Sequence, residues 1–431
     1  MAVINFFKGH PTNALLPSQK IVEATSQLLL NPRDYDEDSD NRHPLTYGSD
    51  QGSLWVREEI SKFVNGSFKL KDKSLSSPNY FNLTGGASYG VMNILAQTTL
   101  PHTGYTKQAF IITPTYYLIN ETFIDAGFGG KITAIDEYDN GTLNLSLLEE
   151  KLEYYTKQDD KDHTEDLKLI NGPNTNKKIY KFVLYCIPTF SNPGGQTYDL
   201  ETRLKLIEIA RKYDVLIITD DVYDLLDYTQ PLDEHPQPEL KRLTHLDRET
   251  YTNEYGNTIS NATFSKLIAP GLRFGYQESV NDKLVYQLCQ GGANVSGGSP
   301  SQLNSMIVGT LLKNGSIHEI INSLRKIYAS RAKVLRESIS EYLPKGTTAF
   351  GFEGGYFVWV TLPEGYDSKK IVQALKNENV VLAGGENFEV VGDVRSWGSN
   401  SVRLSISWLT EEEIVDGVKK WASVIDSLYR K

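Results

Sequence analysis

Residues 262–276, "ATFSKLIAPGLRFGY", set Lys266 and Arg273 seven positions apart among small and apolar residues, with no carboxylate to pair with either. A solvated helix face would be more polar and would alternate its charge signs. Two cations in this setting answer to an anion that the stretch itself does not contain. Three other stretches collect chemistry where apolar runs end. "NLTGGASYG" (82–90) puts two glycines, Ala87 and Ser88 at the start of a helix. Backbone N–H groups at such a turn, aided by the helix dipole, form a phosphate cradle. "FSNPGG" (190–195) sets Asn192 before a Pro-Gly turn, which taken alone is turn chemistry. "TDDVYD" (219–224) ends a strand-like run on Asp220 and Asp221, with Tyr223 just after. Such an Asp pair could be a Mg²⁺ site, a helix N-cap or the counter-ion of a buried cation.

The elements that must position these groups alternate through the middle of the chain. "AFIIT" (109–113), "KITAID" (131–136), "YKFVLYCIP" (180–188), "VLIITDD" (215–221) and "TISNATFSK" (258–266) read as strands. "YYLINETFIDAG", "LNLSLLEEKLEYY" and "DLETRLKLIEIARKYD" between them carry helical periodicity. This order predicts an α/β domain with a mostly parallel sheet, whose functional loops lie beyond the carboxyl ends of the strands. From about residue 300 a long helical stretch (301–343) leads to "FVWVTLP" and "SVRLSISWL", the pattern of a smaller α+β domain. The expected organisation is an arm over 1–45 packed on the small domain, a large domain over 46–300, and a small C-terminal domain over 301–431. Segment 156–178 is polar and aperiodic, and is expected to be a mobile surface insertion.

Composition narrows the function classes. With 431 residues, 39% hydrophobic, 23% charged and a net charge of −10, the chain suits a soluble protein of two or three domains and no nucleic-acid partner. No apolar run approaches the ~18 residues needed to span a bilayer. Two cysteines, Cys186 and Cys289, cannot build a disulfide framework, and Cys186 in its apolar strand reads as a reduced, buried thiol. The N-terminus has neither a signal-peptide stretch nor the Arg-rich look of a presequence, so the cytosol is expected.

Taken together and in this order, the four segments resemble the fold-type-I pyridoxal-phosphate enzymes, and more narrowly the class-I/II aminotransferases of the 2-aminoadipate, kynurenine and aromatic branch. "SKLIAPGLRFGY" is similar to that family's lysine motif S-K-x-x-x-P-G-L-R-x-G, and the resemblance runs from "FFKGHP" to "SVRLSISW". It implies pyridoxal 5'-phosphate as cofactor, bonded through its aldehyde to Lys266, which afterwards carries a proton between the substrate's Cα and the cofactor. Arg273, Thr263 and Ser265, with the backbone of Ala87 and Ser88, would hold the phosphate. Asp220 would face the pyridine nitrogen, following the pattern D-x-x-Y with Tyr223, and leave Asp221 as a solvated or capping residue. Asn192 and Tyr223 would bond the ring oxygen, and Tyr116 would stack on the ring or else remain a core tyrosine beside Tyr117.

For the substrate, the resemblance implies Arg403 as the clamp for the α-carboxylate, with Asn192 and the backbone of Gly9 beside it and Gly354 and Gly355 nearby. Tyr47 would reach the phosphate of a neighbouring subunit, which implies a homodimer with shared sites. A second arginine for a distal carboxylate could come from Arg33, Arg42 or Arg395. The expected reaction moves an amino group from a 2-aminoadipate or aromatic/kynurenine-type amino acid to a 2-oxo acid such as 2-oxoglutarate. Alternatives on the same fold are a C–S β-lyase and a non-catalytic regulatory module that binds the cofactor.

Overall fold

Apolar residues that alternate along each strand decide the layering. A computed structural model describes residues 3–31, 34–35, 41–158, 161–170 and 176–429. Its strands are β1 (Ile4–Asn5), β2 (Phe81–Thr84), β3 (Gln108–Thr113), β4 (Ile132–Asp136), β5 (Phe182–Cys186), β6 (Val215–Asp220), β7 (Thr258–Thr263) and β8 (Gly275–Ser279). The C-terminal part adds β9 (Thr348–Phe350), β10 (Phe357–Thr361), β11 (Val380–Val381), β12 (Ala383–Gly384) and β13 (Ser401–Ser405). A seven-stranded sheet runs in the order β2-β8-β7-β6-β5-β3-β4, with only β8 against the common direction. Val183 and Tyr185 of β5 join one hydrophobic core, while Phe182, Leu184 and Cys186 join the other. Helix Ala87–Thr98 covers the first face with Val91, Ile94 and Leu95; helices Leu145–Thr156 and Leu200–Tyr213 cover the second. A sheet sealed on both faces needs continuous apolar strands, as the sequence has.

Strands β9, β10, β13 and β12 form a four-stranded antiparallel sheet, and β1 near the N-terminus pairs in parallel with β11. The α/β class with a mostly parallel sheet and a separate smaller sheet is therefore as expected. The stretch 301–343 is not one helix. It breaks into Gln302–Lys313 and Ser316–Tyr342 at Gly315, whose φ of +80° suits glycine and ends the first helix. Strand β7 stops at Thr263 rather than Lys266, because Ser265 N–H turns back onto Thr263 Oγ1 (3.2 Å) and Ile268 N–H onto Phe264 O (2.8 Å). Within 156–178, where no periodic element is expected, the described residues contain helix Thr164–Ile170, which Asp162 caps by accepting from Thr164 N–H (2.9 Å). Among the described residues no helix is long and apolar enough to cross a membrane.

Candidate active site

The turns after β2, β3, β5, β6 and β7 meet in a cavity of about 160 Å³ lined by Ala87, Ser88, Tyr116, Asn192, Asp220, Tyr223, Thr263, Ser265, Lys266 and Arg273. The parallel sheet brings this about, since strands running one way present all their following turns at one edge. Ten residues expected from separate stretches of sequence thus share one space.

Lys266 stands in the turn that lifts the chain off β7. Its Nζ donates to Gly9 O (3.1 Å), and Tyr356 O–H secures its backbone by donating to Lys266 O (2.8 Å). Burial lowers the amine to about 8, with Arg403 and Arg273 adding to the effect and Asp220 opposing it. Burial outweighs each of these neighbouring charges. At pH 7 roughly a tenth of such an amine is neutral, against well under a thousandth at the ordinary value.

Asp220 and Asp221 are consecutive at the end of β6 and point to opposite faces. Asp220 accepts from Tyr185 O–H (2.9 Å) and Asn261 Nδ2 (3.3 Å), and burial raises its carboxyl to about 6. Asp221 departs from the solvated or capping role expected of it. It is buried, and its Oδ2 accepts from Thr219 Oγ1 (2.5 Å) and Ser260 Oγ (2.6 Å). Among the described residues no three His, Cys, Asp or Glu converge as metal ligands, so the strand-end pair does not form such a group.

On the cavity wall, helix Ala87–Thr98 begins without a side-chain cap, leaving its first N–H groups for another partner. Gly86 before it has φ of +100°, and a Cβ there would lie 2.9 Å from Arg273 Nη2, so a side chain would occupy the gap between helix and guanidinium. Arg273 is exposed at the cavity mouth and donates to Pro270 O (3.1 Å). Thr263 and Ser265 hydroxyls lie 2.9 Å apart on the same side. Tyr116 is half-buried on the cavity wall, and burial pushes its hydroxyl up to about 12; Tyr223, fully enclosed, is raised further.

Arg403, on β13, is 3% exposed. Its Nη1 donates to Asn192 Oδ1 (3.1 Å) and its Nη2 to Phe7 O (2.8 Å), while its buried Nε has no partner among the described residues. The guanidinium lies 4.0 Å from the ring centre of Phe357 and 4.7 Å from that of Phe388. Burial lowers it to about 10. No described carboxylate reaches it, so the cation is poised for an anion that enters.

The remaining expectations fare differently. Gly354 and Gly355 leave room for Phe190, since a Cβ at either would crowd that side chain, and a Cβ at Gly355 would also lie 3.7 Å from the Cβ of Tyr223. Tyr47 does not line the cavity and is 76% exposed on the single chain. Arg395 is occupied by Asp393 (2.6 Å) and Asp136 (2.9 Å), and Arg42 donates to Gly48 O (3.3 Å). Arg33 lies outside the described residues. Sequence reasoning missed Tyr185, Asn261 and Tyr356, which grip Asp220 and Lys266. Only the strand period, which puts Tyr185 on the same face as Asp220, hinted at one of them.

An amine of lowered proton affinity, a carboxylate held by a tyrosine and an amide, an uncapped helix start beside an arginine, and a buried arginine with an unused N–H suit pyridoxal phosphate and an amino acid together. The profile of the aminotransferase class I and II family matches residues 2–420. An uncharacterized protein of Saccharomyces cerevisiae is 54% identical over 98% of this chain and 97% of its own length. Aromatic-amino-acid aminotransferase 1 of Thermococcus litoralis is 26% identical over 100% of this chain and 89% of its own. Among solved structures, the multiple substrate aminotransferase of Thermococcus profundus superposes with a TM-score of 0.75 at 25% identity, covering 99% of this chain and 91% of that one. With a match that spans almost every residue from the arm to the last helix, the chain belongs to the class I and II aminotransferases, fold-type-I enzymes that depend on pyridoxal phosphate.

Proposed function

We propose that this enzyme transfers the amino group of an aromatic, kynurenine-type or 2-aminoadipate-type amino acid to a 2-oxo acid such as 2-oxoglutarate, in two alternating half-reactions at one site. The observation that carries this reading is Arg403: a buried guanidinium with an unused Nε–H and no described acid partner, beside the cavity that Lys266 faces. When bound, pyridoxal phosphate supplies a carbonyl that condenses with amines and a protonated ring that accepts the electron pair left at Cα. Lys266 is the amine that bonds it, and its freed Nζ takes the proton from the donor's Cα. Asp220 would face the ring nitrogen; with its carboxyl near 6 it is about nine-tenths ionised at pH 7, as an anion that keeps a proton on that nitrogen must be.

Arg273, the Thr263 and Ser265 hydroxyls and the first N–H groups at Ala87 and Ser88 hold the phosphate. Tyr223 and Asn192 would bond the ring oxygen, and Tyr116 would cover the ring face. Arg403 clamps the α-carboxylate, with Asn192 and Gly9 beside it. The aromatic rings of Phe7, Tyr117 and Phe388 around this arginine favour an aromatic side chain over a second carboxylate. The working form is a homodimer in which the exposed Tyr47 completes the partner's phosphate site. A cytosolic setting fits the free, buried Cys186 and Cys289.

A panel of amino donors with 2-oxoglutarate, read by glutamate formation, tests the reaction. Aromatic donors or 2-aminoadipate are expected to yield glutamate. Failure of every donor, together with pyruvate release from cysteine conjugates, would overturn amino transfer in favour of β-elimination.

A further inference from the structure

Beneath the turn that carries Asn192 lies a carboxyl group that the reaction does not use. Glu137 follows β4, and its N–H donates to Thr113 O, fixing its backbone at the sheet edge. Its Oε1 accepts from Ser191 Oγ at 3.0 Å, and its Oε2 is shut off from solvent. The same Ser191 hydroxyl accepts from Gln196 N–H (3.1 Å), while Ser191 N–H donates to Gln196 O (2.9 Å) and Gly195 N–H to Ser191 O (2.8 Å). Ser191 is thus the hub of the 191–196 turn, and Glu137 orients the hub. At Gly194 a Cβ would collide with the Glu137 carboxyl, so the turn is seated directly on it. One residue along, Asn192 is buried and meets Arg403.

We propose that Glu137 is a positioning residue for amino transfer, holding the 191–196 turn so that the Asn192 amide meets Arg403 and the cofactor's ring oxygen. This rests on the reading of Asn192 and Arg403 given above. The groups that face Glu137 suit a neutral hydrogen-bonding acid rather than an ion pair. Ser191 and Tyr198 present hydroxyls to it, Cys186 is a buried thiol, and Asp139 adds like charge. The guanidinium beyond them, Arg203, is taken up by Tyr198 O, Pro188 O, Lys241 O and Thr189 Oγ1. Burial accordingly pushes the Glu137 carboxyl up to about 8. A neutral side chain of the same shape can do this work, and a methyl group cannot.

The test uses the holoenzyme and two readouts: the KM of L-tyrosine or L-2-aminoadipate, and the pH midpoint at which the bound cofactor's visible absorbance changes form. Asn192→Ala, Glu137→Ala and Ser191→Ala are each expected to raise that midpoint by about 1 unit and KM by about tenfold, the worth of one hydrogen bond to an ionised group. Glu137→Gln, which keeps acceptor and donor, is expected to restore both. In an Asn192→Ala background, Glu137→Ala should add nothing. Additive effects, equal damage from Glu137→Gln, or a lowered Tm with an unmoved midpoint would sink the positioning role. An Asn192→Ala enzyme with an unmoved midpoint would instead overturn the reading of the site on which it rests.

Discussion

Two groups of buried charge lie within this chain, and they are built differently. Behind the sheet edge, Arg242 meets Asp224 at 2.7 Å, Tyr276 O–H at 3.0 Å and Ser260 Oγ at 3.3 Å. Arg248 reaches Glu278 and Ser279 O, both at 2.7 Å, and also Val280 O and Ser74 O, while His245 Nε2 shares Glu278 from the other side at 3.1 Å. Burial alone would raise Glu278, yet His245 and Arg248 hold it well below the usual carboxylate range. In the candidate active site the pattern is reversed. Lys266 has a single backbone carbonyl, Arg403 an amide and a carbonyl, and burial lowers both. A buried charge with its own partners is architecture, and one left short of them is a binding site.

The sharpest break of this contrast is at Lys266. Lys266→Ala should lower kcat/KM by about 10⁴-fold or more and abolish the reducible imine absorbance of the bound cofactor, because both bonding amine and base are removed. Persisting absorbance would move the chemistry to another residue. Arg248→Met comes next. Leaving Glu278 without its guanidinium should cost about 3–5 kcal/mol of stability, read as a lowered Tm, with turnover per folded molecule little changed. Arg403→Met should behave in the opposite way. KM should rise by about a hundredfold for the loss of a bidentate clamp, while Tm in the absence of substrate holds or rises, since a cation without a counter-ion has left the interior. A fall in Tm like that of Arg248→Met would erase the distinction between the two groups.

The smallest effect concerns pH. Lys266 falls from 10.5 to about 8 in the fold, so the native apoprotein binds fewer protons there than the unfolded chain. Its contribution to stability is present above 10.5 and is lost as pH falls through about 8, the sign expected of a depressed pKa. Around the folded-state value, the rate at which apoprotein captures pyridoxal phosphate should climb with the neutral fraction, by roughly fivefold from pH 7 to 8 and levelling above 9. A flat profile over that range would mean that the amine is not desolvated.

Legibility followed the range of the interactions. Lys266, Arg273, Asn192 and Asp220 could be singled out because turn residues and strand ends are local signals, and a parallel sheet gathers such ends at one edge. The break at Gly315 and the helix Thr164–Ile170 were not legible, since a glycine inside a helical pattern is tolerated as often as it breaks one, and the cap Asp162 stands in a run of unpatterned charge. The Asp pair was ambiguous for a related reason. Two identical side chains in succession differ only in the face they meet, and the face belongs to the neighbours: Tyr185 and Asn261 for Asp220, Thr219 and Ser260 for Asp221.

By itself the amino-acid sequence determined the layer architecture and the order of the reactive turns, because hydrophobic periodicity and turn chemistry act over a few residues and need no partner. Tertiary structure alone decided which charges were left for a ligand. The proton affinity of Lys266 depends on its burial and on Asp220, Arg403 and Arg273, and in our proposal the orientation of Asn192 depends on Glu137; these groups are brought together from distant stretches of chain. Desolvation and pairing are properties of an enclosed volume, and a volume does not exist until the strands are side by side.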